Sequence, residues 1–417
     1  MGSLAAVGNM HLTARPQQRI VELRIAVIIG LGPAGAIAAL RARARGMGVL
    51  ALDHRLEENP TELPEWPATY GLVDAEVPGW AEEFVRPAHE IRVVTTARRT
   101  PDFGYRMLDS SALRQAVVDA GVTLIRGTER HVPEVLGQVR RDNPGAEVLL
   151  IDCRGARPDG RELWQVAYGM VLRGRSAQVQ PTFMDWRPVE ARVAPASFLY
   201  IQPVDGGMLW EETVLATDQR PEDLRELLAD RLRQRLRSAG VAGDVETVDT
   251  EFVAIPMGLR EGSWARRRRI LVDANPPRAV EYVPFGSRGG LVHPASGYSV
   301  GAAMQAVDEV LAGTTRRRAL GVDMAFYLRL VGARLIARAS PETLQDFFDA
   351  FFRMSRECQL AYLTGHHPLA VAATMWQLRA YTGFWHPFLR PLVTHPRAVL
   401  GLRRRSRGSA TARDPLR

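Results

Sequence analysis

The 417 residues, 46% of them apolar, exceed one small domain and suit a large core with a second domain or insertion. The net charge of +8 rests on arginines interspersed with acidic residues, which argues against a nucleic-acid partner. Only Cys153 and Cys358 are present, with no C-x-x-C pair, which excludes a disulfide framework or a zinc or redox-thiol site and suits a reducing cytoplasm.

Residues 1–23 contain no continuous apolar stretch of the kind a signal peptide needs and read as a flexible extension. RIAVIIG then reads as a buried parallel strand, AGAIAALRARARG as a helix and MGVLALD as the next strand. This order calls for a right-handed crossover in a parallel sheet. The glycines interrupting Ile25 to Leu40 rule out a membrane span there. From Pro60 to Tyr105 periodicity is weak; Ser110 to Gly121 reads as a short helix, followed by the strands VTLIRG and AEVLLID. QVAYGMVLRG, PTFMDWR, ASFLYIQPV and MLWEETVLA predict a second, antiparallel sheet with one face free for a ligand. Pro221 to Gly240 is an amphipathic helix with Leu224, Leu227, Leu228, Leu232 and Leu236 on one stripe. After EFVAIPMG and RILVDANPP, the glycine-rich segment Gly286 to Gly301 opens another helix. Asp323 to Leu378 reads as mostly helical, with Ser340 as an N-cap.

The expected fold is α/β. It joins a FAD-binding Rossmann-like domain of the two-dinucleotide-binding type (24–163 and 250–315, discontinuous) to an antiparallel-sheet substrate domain (164–249). A helical C-terminal region (316–400), a candidate membrane contact, and a disordered basic tail (401–417) complete it. Gly30, Gly32 and Gly35 form G-x-G-x-x-G between strand and helix: the first for the turn, the second for close approach of a pyrophosphate, the third for helix–strand packing. With Pro33 and Ala34 they place the phosphates at a helix N-terminus, and Asp53 stands where ribose hydroxyls are accepted. The loop alone does not separate NAD from FAD. The second loop, with Gly289, Gly290, Pro294, Gly297 and Tyr298, favours the longer FAD, whose ring end needs its own site.

The chain resembles the flavin-binding lycopene cyclases of plants and bacteria from about Ile25 to Leu378. The resemblance rests on GLGPAG, TYGLVDAE, DCRG, WQVAYG, FMDWR, LWEET, IPMG and GGLVHPASGY, in this order. It implies a non-redox isomerase (intramolecular lyase) of carotenoid biosynthesis that closes the ends of lycopene into β-rings. It also implies reduced FAD, NAD(P)H as reductant, and a cytoplasmic protein held peripherally at the inner face of the membrane. One departure is Leu209-Trp210-Glu211-Glu212-Thr213, where the family has Phe-Leu-Glu-Glu-Thr.

Ring closure of a hydrocarbon begins with protonation of a terminal C=C, which needs a carboxylic acid kept neutral in an apolar place. Neighbours on a strand face opposite sides, so one of Glu211 and Glu212 points into a given cavity. The family pattern selects Glu211 as donor, with Glu212 positioning it or pairing with an arginine. Asp185 is a candidate base for the C6 proton or a structural carboxylate. Trp186, Trp210 and Tyr168 are candidate substrate walls and cation-facing rings, as are Phe183 and Tyr298. His293 is expected to orient backbone, and His366 and His367 to lie at the surface. Phe326, Tyr327, Phe347, Phe348, Phe351 and Phe352 read as core, or as a membrane-dipping face. The competing reading is a FAD-dependent monooxygenase or reductase acting on a lipid or aromatic substrate, which consumes reducing equivalents and has no need of Glu211. A nucleotide-sensing or lipid-binding module has no use for paired acids.

Overall fold

The computed structural model describes residues 24–58, 60–160, 162–174, 179–189, 194–241, 243, 245–272, 278–313, 316–383 and 385–401. The N-terminal extension and the basic tail, with Arg403 to Arg407, lie outside the described residues.

In chain order, β1 (Arg24–Ile29), α1 (Pro33–Ala44) and β2 (Gly48–Asp53) are followed by the short strands β3 (Gly71–Val73), β4 (Arg92–Val94), β5 (Arg98–Arg99) and β6 (Tyr105–Met107). Next come α2 (Ser110–Asp119), β7 (Thr123–Arg126), α3 (Val132–Asp142) and β8 (Glu147–Asp152). The second sheet is built mainly from β9 (Leu163–Gly174), β10 (Thr182–Asp185), β11 (Phe198–Val204), β12 (Gly207–Thr217) and, after α4 (Pro221–Ser238), β13 (Val245–Met257). Then β14 (Arg268–Val272) and β15 (Arg278–Pro284) return to the first sheet, and α5 (Val300–Ala312) to the first domain. The C-terminal helices are α6 (Arg316–Ile336), α7 (Pro341–Phe351), α8 (Arg356–Leu363), α9 (Pro368–Thr382), α10 (Arg390–Thr394) and α11 (Pro396–Leu400).

The first sheet has the order β14-β15-β8-β1-β2-β7, parallel apart from the β14–β15 hairpin. Beyond Arg24 its central strand β1 is apolar because both faces are covered. Ala26 and Ile28 pack with Ile37 and Val307, while Ile25, Val27 and Ile29 pack with Leu136 and Val139. The latter belong to α3, a further helix in which Val132, Leu136 and Val139 form an i, i+4, i+7 stripe.

The second sheet has the order β13-β9-β12-β11-β10-β4-β5. Strand β13 runs on to Met257, so this sheet extends past residue 249, and β4 and β5 join its other edge. One face is covered by α4, where Leu224, Leu228, Leu232 and Leu236 are buried. The C-terminal helices stand over the opposite face and enclose a cavity against it. Ser340 caps α7, accepting a hydrogen bond from the Thr343 N–H at 3.3 Å. Among the described residues no helix is long and apolar enough to cross a membrane.

Candidate active site

The β1–α1 turn has the form a dinucleotide needs. Gly30 has φ +90°, and a Cβ there would meet the Cys153 backbone at 3.0 Å. A Cβ on Gly35 would lie 1.9 Å from the Gly30 carbonyl oxygen, so strand and helix approach as closely as glycine permits. A Cβ on Gly32 would meet nothing within 4 Å: the helix N-terminus, capped by no side chain, opens onto free space. Pro33 and Ala34 form the first turn, and Gly286 of the late loop closes on Ala34, since a Cβ there would come within 2.7 Å of the alanine methyl. Burial works against the charge of Asp53, yet Arg55 and two backbone N–H groups hold its carboxyl below the usual range. It accepts from Leu31 N at 2.7 Å and from Arg55 Nη2 at 2.8 Å, so a ribose hydroxyl would share these lone pairs with Arg55. Gly289 is packed against Pro284 and Trp264, and Gly290 and Gly297 have φ of +82° and +76°. A Cβ on Gly297 would lie 1.7 Å from Gln165 Oε1, a buried oxygen with no hydrogen-bond partner. An open helix end, glycines at close approaches and an orphaned acceptor fit a long dinucleotide.

A cavity of about 940 Å³ begins at this second loop. Gly297, Tyr298 and Val300 line it with Tyr70 and Gly71, and it continues between the second sheet and helices α6, α7 and α9. Its walls are mostly hydrocarbon and aromatic ring, and Phe347, Phe348, Phe351 and Phe352 all face it. Those phenylalanines are therefore cavity wall; Phe326 is core and Tyr327 is exposed.

Alternation along β12 sorts the paired acids. Glu211, Thr213 and Leu215 face the cavity, while Trp210, Glu212 and Val214 face α4. Glu211 is partly uncovered only because it looks into the cavity. Burial raises its pKa, the charge of Glu251 raises it further, and the Thr213 hydroxyl, donating at 2.5 Å, opposes them; the result is about 8. Glu211 is therefore mainly neutral at neutral pH. Three phenols of the wall meet one another near the acid: Tyr105 Oη lies 3.0 Å from Tyr200 Oη and donates to Tyr298 Oη at 3.1 Å. Burial pushes all three well above the usual phenol range.

Several expected site residues lie elsewhere. Glu212 is fully buried behind the sheet, where Arg235 Nε donates to it at 3.0 Å and Ser197 Oγ at 2.6 Å. It is thus the arginine-paired member and does not reach the cavity. Asp185 is held by Arg187, whose Nε donates at 2.9 Å and whose backbone N–H donates at 3.0 Å, so its lone pairs turn away from the cavity. Trp210 packs under α4 with Leu232 and Leu236, and Tyr168, in register with Glu212, shares that face. Trp186 lies one layer back, stacked on Phe348 with centroids 4.8 Å apart, and supports the wall without lining it. Phe183 and Tyr298 do line it. His293 orients backbone: its Nδ1 accepts from Ala295 N at 3.2 Å, leaving Nε2 to donate to the Tyr362 carbonyl at 3.0 Å. His366 is not at the surface as expected; it packs edge-on against Trp264, and burial lowers its pKa to about 3. Nothing local in the sequence marks Glu251, Tyr105 and Tyr200: strand pairing brings Tyr200 and Glu251 into the row of Glu211, and Tyr105 of β6 joins them through its hydroxyl contact with Tyr200.

Fold and site together define a protein of Rossmann-like fold, with a glycine turn of dinucleotide-binding form and a carboxyl group of raised pKa facing an apolar cavity. The chain belongs to the lycopene cyclase protein family, whose model matches residues 26–377. It is 27% identical to a Deinococcus radiodurans protein described as an uncharacterized carotenoid cyclase, over 86% of this chain and 90% of that one. It is 26% identical to the lycopene beta-cyclase of a Paracoccus species (86% and 93% covered) and 25% identical to the lycopene beta cyclase of Synechococcus elongatus (81% and 88%). In structure it is similar to a geranylgeranyl bacteriochlorophyll reductase-like protein from Thermoplasma acidophilum. That match has TM-score 0.51 and 12% identity, and covers 89% of this chain and 99% of that one.

The Glu212–Arg235 pair yields a stability prediction. Arg235→Ala leaves a buried carboxylate uncompensated and is expected to lower unfolding free energy by about 3–5 kcal/mol. Urea unfolding at neutral pH measures this; a loss below about 1 kcal/mol, the worth of an exposed pair, contradicts the assignment.

Proposed function

We propose that the protein is a lycopene cyclase of the β type, an isomerase that closes the ψ-ends of lycopene to β-rings in carotenoid biosynthesis. The observation that carries this reading is the neutral Glu211 carboxyl on the wall of an apolar cavity that runs to the second glycine loop. Glu211 gives its proton to C2 of the polyene end, the C5=C6 bond attacks the resulting C1 cation, and a proton leaves C6. One proton enters and one leaves, so mass is unchanged and no electrons are consumed. The dry wall prevents water from capturing the cation, and the rings of Phe183 and Tyr298 turn π density toward it. With Asp185 tied to Arg187, the C6 proton passes to an acceptor inside the cavity, and the Glu211 carboxylate itself is the anion generated there.

The residues that would hold FAD are Gly30, Gly32, Pro33, Ala34, Gly35 and Asp53 for its ADP half, and Gly289, Gly290, Pro294, Gly297 and Tyr298 for its ring half. Reduced FAD, maintained by NAD(P)H, supplies when bound an electron-rich, negatively charged face beside the cavity.

Peripheral association with the membrane fits the route the substrate needs. Leu369, Trp376, Trp385 and Val393 are 61–86% exposed, and Trp376 and Val393 also line the cavity, so the greasy patch is continuous with its mouth. The expected result is co-flotation with vesicles containing anionic lipid, reduced by the double substitution Trp385→Ser/Val393→Ser. Equal flotation of the variant contradicts this route.

The direct test supplies lycopene, FAD and reduced nicotinamide without oxygen. A cyclase yields isomers of unchanged mass, a monooxygenase yields nothing, and a saturating reductase yields heavier product. Glu211→Gln is expected to retain flavin and form no ring. Because the raised pKa keeps the acid form present below it, the wild-type rate should fall as pH rises through about 8. Ring formation by Glu211→Gln overturns the donor assignment.

A further inference from the structure

Glu211 has a neighbour that the paired-glutamate motif does not contain. In the second sheet, Tyr200 of β11, Glu211 of β12, Gly169 of β9 and Glu251 of β13 stand in one cross-strand row. Directly opposed residues of antiparallel strands share a face, so all four point to the cavity side. Two glutamates separated by a whole strand would ordinarily be kept apart by the side chain between them. Here that residue is Gly169, where a Cβ would lie 3.0 Å from Glu251 Cγ and 2.9 Å from a Leu209 methyl. The missing side chain is the gap across which the two carboxyl-bearing side chains face each other. Glu251 is fixed from its far side by the exposed Thr69, whose N–H donates at 3.1 Å and whose hydroxyl donates at 3.0 Å. With two donors already on Glu251, a proton held between the two acids belongs on Glu211.

We propose that Glu251 is the positioning partner of the acid: across Gly169, the two glutamates share one proton and act as a single carboxylic acid–carboxylate pair. This rests on the reading of Glu211 as proton donor. Two carboxylates in contact cannot both ionise at modest cost, so the second negative charge keeps the first group protonated. The other titratable groups facing the pair are Tyr70, Tyr105, Tyr200 and Tyr298, all neutral, and Asp249, whose charge further opposes ionisation. Glu251 does not line the cavity, so it acts through Glu211. After the proton goes to C2 the pair carries two charges, and the step is balanced when one proton returns to it. That proton is the one released from C6, so each ring closure leaves the pair as it began.

The test is the pH profile of anaerobic lycopene cyclisation, read for wild type, Glu251→Gln, Gly169→Ala and Glu211→Gln, with flavin content and thermal unfolding as controls. A neutral amide removes the opposing charge and offers Glu211 an N–H donor, both of which favour its carboxylate. The expected result for Glu251→Gln is an alkaline limb moved at least about one unit toward acid, hence roughly tenfold less activity near the wild-type limb, with the acid-side plateau and KM retained. Gly169→Ala, which drives the carboxyls apart without removing either, should shift the limb in the same direction and supplies the test if Glu251→Gln fails to fold. A variant profile superimposable on wild type, or one lowered equally at every pH, overturns the proposal. If Glu211→Gln forms rings, the donor reading itself has failed; if it is inactive while Glu251→Gln and Gly169→Ala keep the wild-type limb, only the shared-proton pair has failed.

Discussion

A carboxyl group that must give a proton to a hydrocarbon has to stay neutral in water at a pH where carboxyl groups ordinarily ionise. The proposed role of Glu211 imposes that requirement, and the cavity side of the second sheet meets it. Burial supplies most of the effect, by denying the carboxylate its hydration. The cavity is walled largely by phenylalanines of α7 and aliphatic residues of the helices, and the phenols of Tyr105, Tyr200 and Tyr298 near Glu211 remain uncharged. Among the described residues no cation contacts Glu211, and a cation there would turn the acid into a stable carboxylate.

The neighbouring glutamate illustrates the opposite solution to the same problem. One residue along β12, Glu212 faces α4 and keeps its charge by pairing with Arg235 and Ser197. The period of two in a strand lets one dipeptide place an ion pair behind the sheet and a neutral acid before it. The ion pair contributes position more than stability, since buried pairs gain little over apolar packing. Arg235 also donates to the backbone carbonyl oxygens of Asp185 and Arg187, so it ties β12 to the end of β10 and holds the strand that carries Glu211.

Legibility in the sequence tracked how local each feature was. The nucleotide loop was readable because its strand, glycines, helix and acid lie within one short stretch, and the structure places Gly30, Gly32 and Gly35 at the turn, the opening and the close approach. Helix α4 was readable from its leucine stripe. The side of the sheet taken by Glu211 came from the family pattern; alternation alone says only that Glu211 and Glu212 differ. What failed was long-range. Trp186 and Trp210 are aromatic and adjacent in sequence to Asp185 and Glu211, and Tyr168 pairs with Glu212 across strands, yet strand parity or layer puts all three behind the wall. Glu251 sits in an unremarkable strand 40 residues after Glu211, and only the pairing β13–β9–β12 reveals their contact.

The central claim is the protonation state of one side chain, and infrared difference spectroscopy reads it without relying on turnover. Wild type minus Glu211→Gln, at neutral pH in deuterated buffer, is predicted to contain the C=O stretch of a protonated buried carboxyl group that disappears as pH rises past about 8. A difference spectrum containing only carboxylate bands at neutral pH would contradict the account.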